Sequence, residues 1–486
     1  MPQINYTLPL DQLPDPLPIE PLTKPFDVTI TPPGSKSITC RAYVLAALAE
    51  GESKILRPLR ADDTDHLLNA LCTLGAEARW VKGENHDGED VYIKGVAGCF
   101  PRGGNLYMGE GGTPTRFMIA CACLAKEPVV IDASPRMRER PIAEGVDMLR
   151  QLGAQIEYVD EEGRLPVRVV PNNTLVGGEI EIRKTASRQF ISALLLIGSQ
   201  LQRGISLKFV EQTTSSSYIY LTTWTLDQWL LPLQLTEFIK DAKSDEMQHR
   251  RINLPNQLIC CGSFTIEPDA SSCTYWLGAA ALNPGSRATI PMQPLASGQP
   301  DRSFGLDIAQ LFGCQFEFLQ DVDGSICSSA LVGPDQLSLG NPNTDSSLTP
   351  DSSMTVAVIV ARAPSGMRIT GLRTLRVKET DRIAALATEL RKVGCVIETG
   401  EDWIEITPPN AQGSSGARAA ESREDTAARS VERPIIIETY NDHRMAMAFA
   451  VLGLNPPNGV PLAIRNPKCV AKSYPGFWKD FARLYQ

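Results

Sequence analysis

The stretch TITPPGSKSITCRAYVLAALAEG, residues 29–51, decides the fold because it contains an extended segment, a tight turn and a helix in direct succession. The β-branched residues at its start favour a strand, and the Pro-Pro-Gly sequence that follows is typical of a turn. After the turn the residues are mostly small and apolar. One face of the predicted helix carries Ile38, Ala42, Leu45 and Ala49, and Gly51 ends the helix. The stretch therefore predicts a strand–turn–helix unit.

The same unit occurs six times along the chain. The other copies are LYMGEGGTPTRFMIACACLA, IEIRKTASRQFISALLLIGS, FTIEPDASSCTYWLGAAAL, SLTPDSSMTVAVIVARA and IIIETYNDHRMAMAFAVLGL. With one marker residue at each helix start, neighbouring copies are 75 to 90 residues apart. The markers are Ser35, Gly112, Ser187, Ser271, Ser352 and Asp442. The longest interval contains residues 410–433, a Ser, Ala, Arg and Glu-rich stretch without apolar periodicity, which predicts a disordered surface insertion.

Repeated units of this kind place six helix N-termini at equivalent positions. Each N-terminus carries unpaired N–H groups and about half a positive charge. If these ends converge they form a site for anions, and if they face water they bind nothing. Repetition alone leaves both interpretations open.

Composition restricts the class of protein. A length of 486 residues suggests two large domains, and a net charge of -9 disfavours binding to nucleic acid or to an anionic membrane, because both need a clustered basic surface. The 12 cysteines and four histidines are dispersed, so their spacing indicates neither a metal site nor a disulfide framework. No apolar run of about 18 residues and no signal-peptide pattern occurs. We therefore expect a cytoplasmic protein that binds no metal and no membrane.

Basic side chains gather at the first two helix starts. In PGSKSITCR, Lys36 and Ser37 lie at the helix N-terminus and Arg41 lies one turn later, so two cations and a hydroxyl can meet one anion. A solvated basic turn is the alternative, but cations at this end oppose the helix dipole, which favours a ligand role. The segment GEGGTPTR repeats the arrangement with Gly112 and Arg116.

The second unit adds a candidate cap and a run of arginines. Thr113 can cap its helix. The segment SPRMRERP then places three guanidinium groups around Glu139, which are those of Arg136, Arg138 and Arg140. Guanidinium groups suit phosphate and carboxylate geometry, although a solvated face explains any one of the three equally well.

Charged residues also crowd the helix starts of the second half. The predicted helix start within RVKETDRIAALATELRKVG carries Lys378, Glu379 and Arg382. The predicted helix start within YNDHRMAMAF carries Arg444. A cluster of caps and salt bridges explains these charges as well as catalysis does. In PDSSMT, Asp351 precedes an apolar helix, where an N-cap is the simplest role for a carboxylate.

In order along the chain, eight motifs resemble the 5-enolpyruvylshikimate-3-phosphate synthase family of enolpyruvyl transferases. They are PGSKSxxxR, GGTxxR, PRMxERP, DASSxxYxxxAAA, PDxxMT, RVKETDR, YNDHRMAM and PKCxAKSYP. The resemblance runs from Pro32 to about Phe477. One such motif is weak evidence, whereas eight in the family's order make a chance match implausible.

The resemblance implies an α/β fold of two domains, an inside-out α/β barrel built from six βαβαββ repeats with three in each domain. It implies that residues 35–267 form one domain, that residues 1–34 and 268–486 form the other, and that the active site lies in the cleft between them. It also implies a monomer that needs no cofactor.

The resemblance further implies the substrates and their ligands. Phosphoenolpyruvate is expected to contact Lys36, Gly112, Arg116, Arg136, Gln189, Arg382, Arg444 and Lys472. Shikimate 3-phosphate is expected to contact Lys36, Ser37, Arg41, Ser187, Arg188, Gln189, Ser215, Tyr218, Asp351 and Lys378. The family's inhibitor, glyphosate, is expected in the phosphoenolpyruvate site, where a residue larger than Gly112 reduces its binding.

The implied reaction transfers the enolpyruvyl group of phosphoenolpyruvate to the 5-hydroxyl of shikimate 3-phosphate and releases phosphate, on the route to chorismate and the aromatic amino acids. Asp351 would take the proton of the hydroxyl, and Glu379, with Lys378, would protonate the methylene carbon. Lys36 is the fourth expected catalytic residue.

Two other interpretations stay open. A related transferase acts on UDP-N-acetylglucosamine, but that family lacks the PGSKS and YNDHR segments. A non-catalytic anion-binding homologue is suggested by Glu110 and Thr374, which depart from the family pattern. Retention of both Asp351 and Glu379 argues against it, because a binding scaffold needs cations and not two carboxylates.

Overall fold

The computed structural model describes residues 4–84, 86–183, 189–210, 217–231, 233–240, 247–291, 297–320, 326–409, 411 and 433–486. Three residues expected to bind shikimate 3-phosphate, Ser187, Arg188 and Ser215, lie outside this part of the chain. The insertion predicted at residues 410–433 also lies outside it, except for positions 411 and 433. Among the described helices, none has the length and apolar character that crossing a membrane requires.

Small apolar residues form most of the helices. The helices of the described residues are α1 (Lys36–Leu48), α2 (Asp62–Leu74), α3 (Gly112–Ala122), α4 (Pro135–Arg138), α5 (Ala143–Gln151), α6 (Gln189–Gly198), α7 (Ser217–Gln228), α8 (Ala270–Leu282), α9 (Phe304–Phe312), α10 (Ser353–Val360), α11 (Arg382–Lys392), α12 (His443–Gly453) and α13 (Phe477–Ala482). In α1 every residue from Ile38 to Leu48 is buried, which is typical of a helix at the centre of a large core.

Short strands separate the helices. They are β1 (Leu17–Ile19), β2 (Asp27–Thr29), β3 (Glu52–Leu56), β4 (Glu77–Lys82), β5 (Glu89–Lys94), β6 (Gly104–Tyr107), β7 (Val129–Asp132), β8 (Gln155–Tyr158), β9 (Val167–Val170), β10 (Gly178–Ile182), β11 (Ile205–Phe209), β12 (Gln234–Lys240), β13 (Met247–Leu254), β14 (Ser263–Thr265), β15 (Arg287–Pro291), β16 (Gln315–Gln320), β17 (Ile326–Val332), β18 (Asn343–Asp345), β19 (Met367–Thr370), β20 (Val396–Thr399), β21 (Ile404–Thr407), β22 (Ile435–Ile437) and β23 (Leu462–Ile464).

The strand and the helix of each of the six predicted units are confirmed, and the turn of the third unit, residues 184–188, lies outside the described part of the chain. Their strands are β2, β6, β10, β14, β18 and β22, and their helices are α1, α3, α6, α8, α10 and α12. In four units the strand before the helix pairs in parallel with the strand after it, as in the β6–β7 pair that aligns Gly104 with Val129. These are βαβ crossovers, so each unit covers one face of its own small sheet with a helix.

The remaining two units exchange their first strands. Strand β2 leads into α1 but pairs with β15, and β14 leads into α8 but pairs with β3. The chain divides into two large compact units, each of which contains several of the strand–turn–helix units. Each exchanged strand pairs with a strand of its own compact unit. The first, here called the 33–269 unit, comprises Pro33–Asp269 and Ala296–Pro300, and the second, called the C-terminal unit, comprises Met1–Pro32, Ala270–Leu295 and Asp301–Gln486.

Each unit contains three sheets and a separate hydrophobic core. In strand order, the sheets of the 33–269 unit are β14-β3-β5-β4, β6-β7-β9-β8 and β10-β11-β13-β12. Those of the C-terminal unit are β16-β17-β15-β2, β18-β19-β21-β20 and the three-stranded β1-β23-β22. The domain boundaries given by the resemblance, 35–267 and 1–34 with 268–486, stay a prediction about independently folding domains.

A glycine sets the distance between two helices of the 33–269 unit. Gly145 lies in α5, and a Cβ atom at this position would overlap the ring of Phe190 in α6. Alanine usually stabilises a helix relative to glycine, by about 0.5–1 kcal/mol. Here the overlap reverses that preference, since a packed aromatic ring would have to move.

Gly145→Ala is therefore expected to lower the free energy of unfolding by roughly 1–3 kcal/mol, measured by urea denaturation. Gly262→Ala is the matched control, because no atom lies within 4 Å of the position that its Cβ would take. Equal stability of the two variants would contradict the packing argument.

Candidate active site

The first group of predicted residues lies at the N-terminus of α1. This helix begins at Lys36, whose ammonium Nζ is 2.9 Å from Oδ2 of Asp63. Asp63 is buried in the first turn of α2, and its Oδ1 lies 2.9 Å from the position of a Cβ on Gly111. The ion pair therefore brings Lys36 close to the start of α3. Asp63 was not among the predicted site residues.

Arg41 is buried and its hydrogen bonds go to neutral groups. Its Nε donates to Oγ1 of Thr222 at 2.9 Å, its Nη1 to the carbonyl of Ser37 at 2.8 Å, and its Nη2 to Oγ of Ser192 at 3.1 Å and the carbonyl of Tyr218 at 3.3 Å. Burial lowers the pKa of Arg41 to about 10, and none of the described residues pairs a carboxylate with it. An anion placed against this guanidinium would supply the missing opposite charge.

Arg116 joins α3 to α6. Its Nη1 donates to the carbonyl of Gly112 at 3.1 Å and to Oε1 of Gln189 at 2.8 Å. The amide Nε2 of Gln189 in turn donates to Oγ1 of Thr113 at 2.9 Å. The predicted cap was wrong: α3 begins two residues earlier, with Gly111 as N-cap, and the Thr113 hydroxyl accepts the bond from Gln189. Gly112, Arg116 and Gln189 are thus brought together.

The three arginines of the run separate completely. Arg136 is half-exposed and pairs with Glu139 at 2.6 Å, while Arg138 pairs with Asp132. Arg140 is buried, and its Nη1 and Nη2 lie 2.6 Å from the position of a Cβ on Gly112. The expected contact of Arg136 with phosphoenolpyruvate stays a prediction. The sequence placed Arg140 in a segment with two other arginines, but it did not indicate which of the three side chains is buried.

A second group of predicted residues surrounds the guanidinium of Arg382 in the C-terminal unit. Arg382 is 1% exposed and is the first residue of α11. Its Nη1 donates to Oδ1 of Asp351 at 2.8 Å, its Nη2 to Oε2 of Glu379 at 2.9 Å, and its Nε to Oδ2 of Asp442 at 2.7 Å. These carboxylates raise the pKa of Arg382 against the opposing effect of burial, so the group stays charged.

Asp351 is shared by three cations. Besides Arg382, its Oδ1 lies 3.4 Å from Nζ of Lys378 and its Oδ2 lies 3.2 Å from Nη2 of Arg444. The simple interpretation of Asp351 as a helix cap was wrong, because Ser352 is the N-cap of α10 and Asp351 precedes it. Its carboxylate therefore faces the three cations and does not cap α10.

The remaining members complete a cluster of alternating charges. Oε1 of Glu379 lies 3.2 Å from Nζ of Lys472, which ends the helical turn Pro467–Lys472. Asp442 accepts the backbone N–H of Arg444 at 2.9 Å and so caps α12. Burial lowers the pKa of Lys378, with the Asp351 carboxylate opposing that change. Among the described residues, four cations interleave with three carboxylates, of which Asp351 and Asp442 are buried and Glu379 is partly buried.

A fourth carboxylate, Asp301, lies beside this cluster. It is fully buried and accepts a hydrogen bond from the hydroxyl of Ser271 at the start of α8. Burial first, and then the negative charge of Asp351, raise the pKa of Asp301 to about 6. Asp301 was not predicted, since an isolated aspartate 30 residues from its serine partner gives no local pattern.

These arrangements suit the binding of small anions. A model of the EPSP synthase (3-phosphoshikimate 1-carboxyvinyltransferase) family matches residues 22–481. The chain belongs to this family. Relatives of the EPSP synthase family named 3-phosphoshikimate 1-carboxyvinyltransferase in Cellvibrio japonicus and Vibrio cholerae are each 35% identical, over 93% of this chain and 95% of theirs.

Solved structures share the fold. An EPSP synthase from Acinetobacter baumannii superposes with a TM-score of 0.72 at 24% identity, over 96% of this chain and 97% of that one. The enolpyruvyl transferase NikO from Streptomyces tendae gives a TM-score of 0.65 at 14% identity, over 96% of each chain. These identities are low, so the likeness speaks for the fold alone. The predicted α/β fold class is confirmed, while the cleft between two domains stays a prediction.

Removing the central guanidinium is expected to destabilise the C-terminal unit. Arg382→Gln leaves Asp351, Glu379 and Asp442 without their shared partner, so the free energy of unfolding should fall by about 3–5 kcal/mol. Arg368→Gln is the control, because Arg368 pairs with Glu405 at the surface, where such pairs contribute about 0–1 kcal/mol. Similar losses in both variants, measured by chemical denaturation, would contradict the central role of Arg382.

Asp301 predicts a dependence of stability on pH. Its pKa is about 6 in the folded protein and 3.8 in the unfolded chain. Its favourable contribution to the free energy of unfolding is therefore present below pH 4 and is lost as pH rises through 6. The Asp301→Asn side chain cannot ionise, so the free energy of unfolding of this variant should exceed that of the parent protein by about 3 kcal/mol at neutral pH. The gain should disappear towards pH 4, as measured by denaturation across this range.

Asp402→Asn, on the surface of the same unit, is the control for the change of residue itself. A gain for Asp301→Asn that is the same at every pH would contradict the assigned cause.

Proposed function

We propose that this chain is a 3-phosphoshikimate 1-carboxyvinyltransferase, which transfers the enolpyruvyl group of phosphoenolpyruvate to the 5-hydroxyl of shikimate 3-phosphate and releases phosphate. Membership of the EPSP synthase family supports the reaction class, and the relatives named for this activity align over nearly their whole length. The single observation that carries the proposal is the cluster around Arg382, because it combines cations for a doubly anionic ligand with two carboxylates for proton transfer.

The cations of the C-terminal unit suit phosphoenolpyruvate. This molecule carries a carboxylate and a phosphate, and planar guanidinium groups bind both. Arg382 and Arg444 would bind through their N–H groups, and Lys472 would add a point charge. Lys36, Arg116 and Gln189 of the 33–269 unit would serve the same substrate, with Gly112 and Arg140 beside them. The individual roles stay predictions.

Arg41 suits the phosphate of shikimate 3-phosphate. Its hydrogen-bond partners among the described residues are neutral, and the low local dielectric would favour the pairing of its charge with a phosphate. Ser37 and Tyr218, whose carbonyls already accept from Arg41, lie at the same point and would contribute further polar groups.

The carboxylates of the cluster are restrained before substrate binds. Asp351 faces three cations and Glu379 faces two, and opposite charges make a carboxylate a weak base. When the anions of phosphoenolpyruvate attract those same cations, both carboxylates lose part of their neutralising charge. Substrate binding therefore raises the basicity of the groups that must move protons.

The reaction then proceeds by addition and elimination. The 5-hydroxyl oxygen forms a bond to C2 of phosphoenolpyruvate, its proton passes to Asp351, and Glu379 with Lys378 delivers a proton to C3. In the resulting tetrahedral adduct, the bond between C2 and the phosphate oxygen breaks and phosphate leaves. C3 gives a proton back, which restores the double bond between C2 and C3. The lowered pKa of Lys378 suits a group that must release and regain a proton.

Inhibition by glyphosate is a further part of the proposal. A side chain at position 112 would meet the guanidinium of Arg140, because a Cβ there lies 2.6 Å from both of its terminal nitrogens. A larger residue would displace that cation from the site. Action as a cytoplasmic monomer stays a prediction, which size-exclusion chromatography and cell fractionation would test.

The activity is tested by the release of inorganic phosphate. Purified protein should release phosphate from phosphoenolpyruvate only when shikimate 3-phosphate is present, and Asp351→Asn should reduce the rate at least roughly a hundredfold, because general base catalysis is lost. Asp335→Asn, an exposed aspartate of the same unit, should leave the rate unchanged.

Two outcomes would overturn the proposal. Phosphate release that depends on UDP-N-acetylglucosamine would indicate the related transferase. Absence of release with either acceptor would indicate an anion-binding protein without catalysis.

A further inference from the structure

The backbone is in a left-handed conformation at two consecutive residues just before Asp442. Tyr440 has φ 53° and Asn441 has φ 55°. Residues other than glycine rarely adopt this left-handed backbone conformation, and a bulky tyrosine in it is especially rare. Such residues persist only where the surrounding structure holds them in place. The left-handed turn must therefore be held by neighbouring side chains.

Glu389 of α11 is one of the groups that hold it. Its side chain is fully buried, and its Oε1 accepts the Tyr440 hydroxyl at 2.7 Å. Its Oε2 accepts the backbone N–H of Glu438 at 3.1 Å and pairs with Nζ of Lys392 at 2.6 Å. Lys392 also donates to the carbonyl of Ile436 at 3.0 Å. One buried carboxylate thus fixes the chain from β22 to the left-handed turn.

Two residues of helix α11 bind the left-handed turn and the aspartate that follows it. Arg382 at its first residue binds Asp442, and Glu389, seven residues later, binds Tyr440. Seven residues are two helical turns, so both side chains lie on one face of α11 about 10 Å apart along its axis. A rigid helix therefore determines where Asp442 stands, and with it Arg444, whose N–H Asp442 caps.

The turn is also tied to the segment that carries Lys472. The side-chain Nδ2 of Asn466 donates to Oδ1 of Asn441 at 3.0 Å, and Asn466 is the N-cap of the helical turn that ends with Lys472. Thr439 adds a second bond between the segments, from its hydroxyl to the carbonyl of Arg465 at 2.9 Å. Arg444 and Lys472 are therefore linked through the left-handed turn.

We propose that Tyr440 and Glu389 are positioning residues, which hold the left-handed turn so that Asp442, Arg382 and Arg444 stand at the spacing that phosphoenolpyruvate requires. This inference rests on the proposed function and adds residues to it that do not contact substrate. Burial, and then the carboxylate of Glu389, raise the pKa of Tyr440 to about 12, so the hydroxyl keeps the proton that it donates.

Tyr440→Phe tests the inference because it removes the hydroxyl and keeps the ring. The KM for phosphoenolpyruvate should rise roughly fivefold, which is the usual effect of one lost hydrogen bond, while the KM for shikimate 3-phosphate changes less than twofold. Tyr485→Phe is the matched control, since the Tyr485 hydroxyl makes a bond of 2.6 Å to the carbonyl of Glu20 in the same unit, away from the cluster. Its two KM values should stay at the parental level.

The outcomes separate this inference from the proposed function. If the parent protein releases no phosphate with shikimate 3-phosphate, the proposed function fails before any variant is compared. If the parent is active but Tyr440→Phe behaves like Tyr485→Phe, or raises both KM values equally, the positioning role is overturned. A selective rise in the KM for phosphoenolpyruvate, with the melting temperature lowered no more than in Tyr485→Phe, supports it.

Discussion

The arrangement of the C-terminal unit depends on one buried cation, the guanidinium of Arg382. It binds Asp351, Glu379 and Asp442, which precede or begin three different helices. Three carboxylates could not stay ionised together in a buried site without a shared partner. Because the guanidinium is planar and its donors are fixed in direction, it sets the position of each carboxylate. The N-terminal ends of three helices, α10, α11 and α12, are thereby brought to one point.

The two units hold their cations in opposite ways. In the 33–269 unit, Arg41 is surrounded by hydroxyl and carbonyl oxygens, so its charge is ready for an incoming anion. In the C-terminal unit, carboxylates already neutralise Arg382, Arg444 and Lys472, so an incoming anion must compete with them. Under the proposed function, the first arrangement would favour binding of an anion. The second would place the anion beside Asp351, the carboxylate to which the proton transfer is assigned.

The backbone contributes to the same end. The left-handed turn at Tyr440 and Asn441 precedes the cap of α12, and bonds from Glu389 and Asn466 hold it on two sides. A conformation that the local sequence disfavours is thus maintained by tertiary contacts, as is common where a site must be rigid before its ligand arrives. The close approach of Arg140 to Gly112 is a second such constraint, because it leaves no room for a side chain.

Contiguous residues by themselves determined the six strand–turn–helix units and the charged helix starts, since apolar periodicity, turn residues and the position of Lys36 or Arg382 are local properties of the chain. The motif order added the family. Only the tertiary structure decided that β2 and β14 exchange sheets, that Arg140 turns inward while Arg136 does not, and that Asp351 binds cations instead of capping α10. The reason is physical: two of the three carboxylate partners of Arg382, Asp351 and Asp442, lie 31 and 60 positions away in the chain. Charges that far apart are paired by the packing of whole elements, which no local pattern records.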